Sequence, residues 1–345
     1  MIVEYKVTIG IPVYKALEYI GDAMNSALNQ TFPDIEFLII DDCGNDGTMD
    51  VILEYTYSHP RGKDIRILHN NNNRGVSFCR NLIIDEAKGK YLYFMDSDDV
   101  IETNAIERLY NAVEKRKAQI AYGSYDIKNI DNVSRVEVYE KEPLFLESPD
   151  ELAMYAFKEI KVFHVSVCNC LIDLMFLRNS NVRFLNFSYW EDMAFTTELV
   201  TLVNRAVLLP DITYHYLRHS GSLSHYQNRM VLDKNEIIRN KTVLDYIKKK
   251  CPSLREKKYL PFLCLNLEVN SFYLVCYIIK HMGGIVPKFR NDELRDIMSY
   301  PVNCYVLMQF REKLLSNFSF WLLAHIPLFL FYPLVFIIGK VKRVL

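Results

Sequence analysis

The chain has 345 residues, half of them apolar, with 41 basic and 42 acidic side chains and a formal net charge of -1. That composition suits a globular protein of one or two domains and excludes a disordered chain, and the balanced charge offers no overall positive field, so no nucleic-acid partner is expected. The eight cysteines are scattered without paired zinc-ligand spacing, and the opening MIVEYKVTIGIPVY turns polar too early for a secretory signal, so a cytosolic body with reduced thiols is expected.

Up to about residue 125, short apolar runs alternate with amphipathic stretches, the pattern of strand-helix units that build a mainly parallel sheet. Strands are expected at 7–11, 35–40, 65–68 and 91–95, and helices at 16–28, 48–57 and 76–87, with Thr48 and Ser77 as N-terminal caps. A helix at 101–117 and a strand at 120–125 follow, then a polar, irregular stretch over 126–148. From 149 to 218 the pattern mixes a helix, a loop at 186–189, a helix at 192–203 and short strands through Val207 and Tyr214; beyond 225 it is helical and repeatedly apolar.

Ligands of open parallel sheets bind beyond the carboxyl ends of the strands, so residues just after those ends are the first candidates. Three such places are Pro12-Val13-Tyr14, the turn from Asp41 and Asp42 to Gly47, and Asp96-Ser97-Asp98-Asp99. The last sets three carboxylates within four residues, which repel one another unless a cation neutralises them. A divalent ion such as Mg²⁺ takes one or two carboxylates and fills its other positions with water and phosphate oxygens. An ordinary turn capping the next helix explains the same letters. Asp42 reads either as a turn residue or as an acceptor for the N3 proton of a uracil ring.

The runs Val7 to Tyr14, Ser26 to Phe32, Ile39 to Asp42, Asn73 to Asn81 and Lys88 to Asp98 follow one another in the order found in family 2 glycosyltransferases, and the chain closely resembles that family. The resemblance implies the GT-A fold, an α/β nucleotide-diphospho-sugar transferase fold with a mainly parallel sheet flanked by helices. It also implies a nucleotide-sugar donor, a divalent metal (Mn²⁺ or Mg²⁺) and transfer with inversion. Carried over by position, Pro12, Val13 and Tyr14 would line the base pocket, Asp42 would bind uracil, and Arg80 would lie near the donor. Asp98 would hold the metal, with Asp96 on the ribose or the metal. The resulting division is a GT-A domain at 1–224, with a nucleotide-binding half at 1–125 and an acceptor half at 126–224. A helical extension at 225–317 and a membrane-associating segment with a basic tail at 318–345 complete it.

Tyr189-Trp190-Glu191-Asp192-Met193 resembles the family's Glu-Asp motif at the start of an acceptor-side helix. An attacking hydroxyl has a pKa far above neutrality, so a carboxylate must take its proton; Asp192 is the expected general base and Glu191 the next choice. The bland reading is two acids favouring a helix N-terminus. The segment from Tyr214 to Ser224 is similar to a family segment near the diphosphate, with its arginine shifted, so Arg218 or His219 is expected at the leaving group, unless these letters form only a strand and a polar loop. Cys168-Asn169-Cys170 stands where many relatives carry Trp-x-Lys, and a buried pair of small residues is preferred there over a metal pair.

Residues 318–338 contain no Lys, Arg, Asp or Glu, long enough for a span of about 20 residues. Pro327 and Pro333 are expected to break the run, and both flanks are basic. A re-entrant or interfacial segment at the inner face of the cell membrane is therefore expected, with a glycan or lipid-linked acceptor; a helix folded against the protein is the soluble alternative. A non-catalytic nucleotide-sugar-binding scaffold is the competing function. A nucleotidyltransferase is disfavoured, since IGIPVYKALEY lacks a Gly-rich phosphate loop.

Overall fold

Along β1 (Tyr5–Val13) the side chains of Val7, Thr8, Ile9, Ile11 and Val13 are all buried, the mark of a strand covered on both faces. In the computed structural model, which describes residues 4–129, 132–137, 141–159, 166–186, 190–218 and 232–345, it is followed by α1 (Ile20–Leu28), β2 (Ile35–Asp41), α2 (Thr48–Ser58), β3 (Ile65–His69), α3 (Val76–Glu86) and β4 (Gly89–Phe94). β1 pairs in parallel with β2 and β4, and β2 with β3, so β3-β2-β1-β4 direct their carboxyl ends one way. At the opposite end Glu36, 2% exposed, fastens three segments: it accepts from Thr8 Oγ1 at 2.6 Å, Arg66 Nε at 2.8 Å and the Lys88 amide at 2.8 Å.

The helix starts differ from expectation. α1 begins at Ile20 rather than 16, because Tyr19 and Ile20 amides both close on the Ala16 carbonyl and make a turn first. α2 and α3 are capped by Gly47 (φ 91) and Gly75 (φ 85), backbone that glycine adopts without strain, and Thr48 and Ser77 sit inside the first turn. Thr48 still ties two loops together, since its hydroxyl donates to Asp46 at 2.6 Å and accepts from the Ala16 amide at 3.1 Å.

The first half continues through β5 (Val100–Ile101), α4 (Ala105–Arg116), β6 (Ile120–Asn129), β7 (Asn132–Glu137), β8 (Leu144–Leu146), α5 (Glu151–Met154), β9 (Cys170–Asp173), α6 (Leu174–Ser180), α7 (Glu191–Val200) and β10 (Ala206–Arg218). β9 lies between β4 and β6, antiparallel to both, and the full order is β3-β2-β1-β4-β9-β6-β10-β5. The stretch at 126–148 is not irregular as expected among its described residues: β6 extends into it as far as Asn129, β7 pairs with β6 and β8 with β10. Backbone pairing to long neighbouring strands outweighs its polar side chains. The two short strands expected through Val207 and Tyr214 are one strand, β10, whose register to β6 shifts between Leu208 and Ile212, around Pro210, which has no N–H for the ladder.

The chain forms two compact units, Met1–Leu152 with His164–Leu223, and Ala153–Phe163 with Ser224–Leu345. The second therefore takes in 153–163, which the sequence placed in the acceptor half; the expected boundary at 224, the loop residues 187–189 and His219 lie outside the described residues. In the second unit β11 (Leu232–Asp233) pairs with β12 (Ile285–Val286), and α8 (Lys234–Lys250), α10 (Asn291–Ile297), α12 (Leu314–His325) and α13 (Leu328–Val341) pack on the long apolar α9 (Leu260–His281), with α11 (Cys304–Leu307) beside α12. A buried ion pair crosses this core: Lys248 lies 2.7 Å from Glu268, which is fully buried, and also donates to the Ile297 and Ser299 carbonyls. Burial pushes the Glu268 carboxyl up to about 7 against the pull of Lys248. The apolar run at 318–338 is two helices, parted at Ile326 and Pro327, both extended; Pro333, expected as a second break, lies within α13.

Candidate active site

β4 ends at Phe94, and the chain then turns through Asp96, Ser97, Asp98 and Asp99 into β5. β5 pairs antiparallel with β10, Ile101 opposite Tyr214 and Val100 opposite His215, and this brings Tyr214 onto the acidic turn. The Tyr214 hydroxyl donates to Asp99 Oδ2 at 2.6 Å and receives the Asp96 amide at 3.3 Å, while the Leu217 amide donates to Asp99 Oδ1 at 2.8 Å. Asp99 is 1% exposed and so is the anchor of the turn, whereas Asp96 and Asp98 are half-buried at its open side. On the other face of β10, His215 lies between Asp126 at 2.7 Å and Glu102 at 2.9 Å.

Asp96, Asp98 and Asp99 each offer a carboxylate oxygen, all within 4.8 Å of one another. Burial, and then the Asp96 and Asp98 charges, push the Asp99 carboxyl well above the carboxylate range. Negative charge gathered so closely is relieved by a hard divalent cation, which takes oxygen ligands and leaves positions for phosphate oxygens. The residues present therefore fit a metal, with Asp96 and Asp98 presented and Asp99 holding the loop.

α3 carries Arg80 into this region. Its guanidinium is 4% exposed and reaches three carboxylates: Nη2 lies 2.9 Å from Asp96 Oδ1, and Nη1 lies 3.0 Å from Glu191 Oε1 and 2.5 Å from Asp192 Oδ1. Among the described residues Arg80 Nε has no hydrogen-bond acceptor. Glu191 and Asp192 open α7, and their side chains are 13% and 16% exposed. Burial pushes the Asp192 carboxyl up to about 7; Arg80 pulls it down, and the Glu191 and Asp96 charges push it up further. A carboxyl near neutrality in its protonation equilibrium is poised to accept a proton.

The aromatic bed beneath Arg80 was not legible in the sequence. The Phe184 ring lies 5.4 Å from the guanidinium and stacks on Phe195 of α7 at 3.9 Å. Asn81 fixes Phe184 through its backbone, donating to its carbonyl at 2.8 Å and accepting from its amide at 2.9 Å. The consecutive Arg80 and Asn81 thus act separately, one on carboxylates and one on the segment that leads to α7.

Asp42 is 3% exposed, and its carboxylate binds three donors: Asn70 Nδ2 and the Arg74 amide on Oδ1, and the Gly75 amide on Oδ2, each at 2.8 Å. The Cys79 thiol also hydrogen-bonds to this carboxylate, which accepts about four hydrogen bonds in all. Val13 is buried and its carbonyl receives the Asp42 amide at 2.9 Å; Pro12 is half-buried at the end of β1, and Tyr14 beyond it is 44% exposed. Arg218 ends β10 next to Leu217, whose amide holds Asp99. Cys168 and Cys170 are buried, and Asn169 between them (φ 67) acts structurally, bonding the Gly123 and Ser124 carbonyls and the Thr213 hydroxyl.

A carboxylate turn that fits a metal, set at the end of a mainly parallel sheet and joined by Arg80 to two further carboxylates, accompanies the GT-A fold of a glycosyltransferase. The chain belongs to glycosyl transferase family 2, whose sequence model matches residues 8–179. It is similar to glycosyltransferase GlyG of Streptococcus pneumoniae, 26% identical over 63% of this chain and 72% of that one. It is also 28% identical to the Escherichia coli UDP-Glc:alpha-D-GlcNAc-diphosphoundecaprenol beta-1,3-glucosyltransferase WfaP, over 80% of this chain and 95% of WfaP. Its fold matches S. aureus TarS, residues 1–349 in complex with UDP-GlcNAc, with a TM-score of 0.66 at 18% identity, over 93% of this chain and 89% of that one.

Proposed function

We propose that this glycosyltransferase moves a sugar, with inversion, from a uridine-diphosphate sugar to a hydroxyl of a lipid-linked or surface-glycan acceptor, at the cytoplasmic face of the cell membrane. The single observation that carries the mechanism is Arg80, bonded at once to Asp96 of the acidic turn and to Asp192 of α7. It joins the place where a donor's diphosphate would lie to the group that would activate the acceptor.

In this reading Asp98 and Asp96 hold Mn²⁺ or Mg²⁺, which supplies charge neutralisation for the departing nucleoside diphosphate. Pro12, Val13 and Tyr14 would line the base pocket, and Asp42 would accept the uracil N3–H. Arg218 or His219 would help neutralise the leaving group. Asp192 takes the acceptor hydroxyl's proton as the new bond forms, with Glu191 as its neighbour. Once protonated, Asp192 no longer needs the guanidinium charge, and Arg80 is left with two carboxylates instead of three. The cation is thereby freed toward the side where negative charge grows, an arrangement that favours the transition state over the ground state.

The UDP-sugars named for WfaP and TarS support a uridine donor, and the undecaprenol-linked substrate named for WfaP supports a lipid-borne acceptor. The test mixes purified protein with Mn²⁺ or Mg²⁺ and a panel of UDP-sugars, and reads nucleotide release and the anomeric configuration of the product. Donor-dependent release that falls sharply in Asp98→Ala, at a metal concentration that saturates the wild type, is expected. Calorimetric donor binding without turnover on any acceptor would favour a binding scaffold instead.

A further inference from the structure

α12 is built inside out. Its one buried polar residue, Asn317, points into the protein, where Nδ2 donates to the Pro261 and Lys313 carbonyls at 3.0 Å and Oδ1 accepts from the Tyr300 hydroxyl at 2.6 Å. These three bonds fix the rotation of the helix. They leave Leu315 (82% exposed), Phe318 and Leu322, at three- and four-residue spacing, on the outside.

α13 repeats the inversion. Only Phe331, Val335 and Gly339, one stripe at four-residue spacing, are buried. A Cβ on Gly339 would lie 3.2 Å from Cys276 Sγ, so the stripe is pressed closely onto α9. Phe329 (76% exposed), Leu330, Leu334, Phe336, Ile337 and Val341 face outward. A water-facing helix carries polar residues there, and exposed apolar surface of this extent marks an interaction site.

The charges identify the occupant. From 313 to 345 there is no Asp or Glu, while Lys313, Lys340, Lys342 and Arg343 are all exposed. A second copy of this face would bring cations to cations without a carboxylate to answer them. An anionic lipid surface answers all of them and receives the apolar side chains in one step. Length excludes a crossing: the 14 residues of α13 reach about 21 Å at about 1.5 Å each, short of a hydrocarbon core of about 30 Å. α9, long and apolar enough to span, has 67% of its apolar window buried within the protein.

We propose that α12 and α13 form a monotopic docking surface for an anionic bilayer, seating Leu315, Phe318, Leu322, Phe329, Phe336 and Ile337 in one leaflet with Lys340, Lys342 and Arg343 among its headgroups. This deepens the proposed work on a membrane-borne acceptor. Vesicle binding and nucleotide release are read separately, so that either can fail alone.

The test floats the full chain with vesicles of phosphatidylcholine, with and without phosphatidylglycerol. Binding is expected to the mixed vesicles, to be released by an alkaline carbonate wash, and to weaken about 100-fold in K340Q/K342Q/R343Q and at least as far in Phe329→Ser/Ile337→Ser. Donor-dependent nucleotide release in solution is expected unchanged in both variants, which shows them folded. Flotation indifferent to both variants, protein that stays in the carbonate-washed membrane, or a dimer broken by Phe329→Ser without vesicle binding would each overturn the proposal.

Discussion

Arg80 and Asp192, 112 positions apart in the chain, meet in a 2.5 Å ion pair whose cation is almost wholly buried. Removing one partner of such a pair strands the other charge in a poorly solvated place, at a cost of about 3–5 kcal/mol. Arg80→Ala leaves Asp96, Glu191 and Asp192 without their shared cation. It is expected to lower the urea midpoint and abolish turnover; Arg80→Lys, a single point charge in place of a fork, should recover stability in part and activity little. Denaturation curves and nucleotide release on the same preparations check both.

Asp192→Asn keeps the shape of the side chain and removes the proposed proton acceptor. The expected loss in kcat is roughly 10²–10⁴-fold with donor KM nearly unchanged, because the amide still occupies its place against Arg80. Glu191→Gln should cost less.

The raised Asp192 carboxyl couples activity and stability in opposite directions. Between its ordinary value of 3.8 and about 7 the folded protein retains a proton that the unfolded chain has released, so stability falls as pH rises through that window. Glu268, raised from 4.5 to about 7, adds to the same fall. The ionised form of the proposed base accumulates over the upper end of the same range, so turnover should climb toward pH 7 as the melting temperature declines. Asp192→Asn and Glu268→Gln are each expected to flatten the melting profile, and only Asp192→Asn to remove the acidic limb of the rate profile.

Stripping divalent ions with EDTA should stop donor-dependent release, and Mn²⁺ or Mg²⁺ should restore it. In Asp98→Ala the metal concentration needed for half-activity should rise at least tenfold, by loss of a carboxylate ligand. A wild-type rate that persists in EDTA would remove the metal from the mechanism.

Tyr214→Phe deletes the hydroxyl that holds Asp99 and the Asp96 amide and leaves Asp99 Oδ2 without its donor. A stability loss of about 1–3 kcal/mol is expected, with a drop in kcat/KM and a higher metal concentration for half-activity, since the turn that presents Asp96 and Asp98 loses its support. Phenylalanine fills the same volume, so thermal melting and metal titration separate loss of packing from loss of position.

β1 to β4 were legible because their apolar runs have strand length and their ends carry the residues of an ordered family pattern. Asp96, Asp98, Asp192 and Arg80 were legible as members of that pattern. Their connection was not: a sequence does not show that Arg80 touches the acidic turn and α7 together, since the contact joins three segments far apart in the chain. The sequence offers Tyr214 either as part of a family segment near the diphosphate or as part of a strand and a loop, and its hold on Asp99 follows from the antiparallel β5–β10 register. Gly47 and Gly75 replaced Thr48 and Ser77 as caps because a positive φ at the loop exit decides where each helix starts, and side-chain capping propensity carries no information on it.

The distance along the chain between Arg80 and its partners sets an order of events during synthesis. At roughly 5–20 residues per second, about 6–20 seconds separate the emergence of Arg80 from that of Asp192. Throughout that interval the parallel half can form its strands, yet a guanidinium destined for burial has only Asp96 to neutralise it. The parallel half should therefore remain loosely closed around Arg80 until α7 is made, which links completion of the fold to completion of the carboxylate cluster in a single late step.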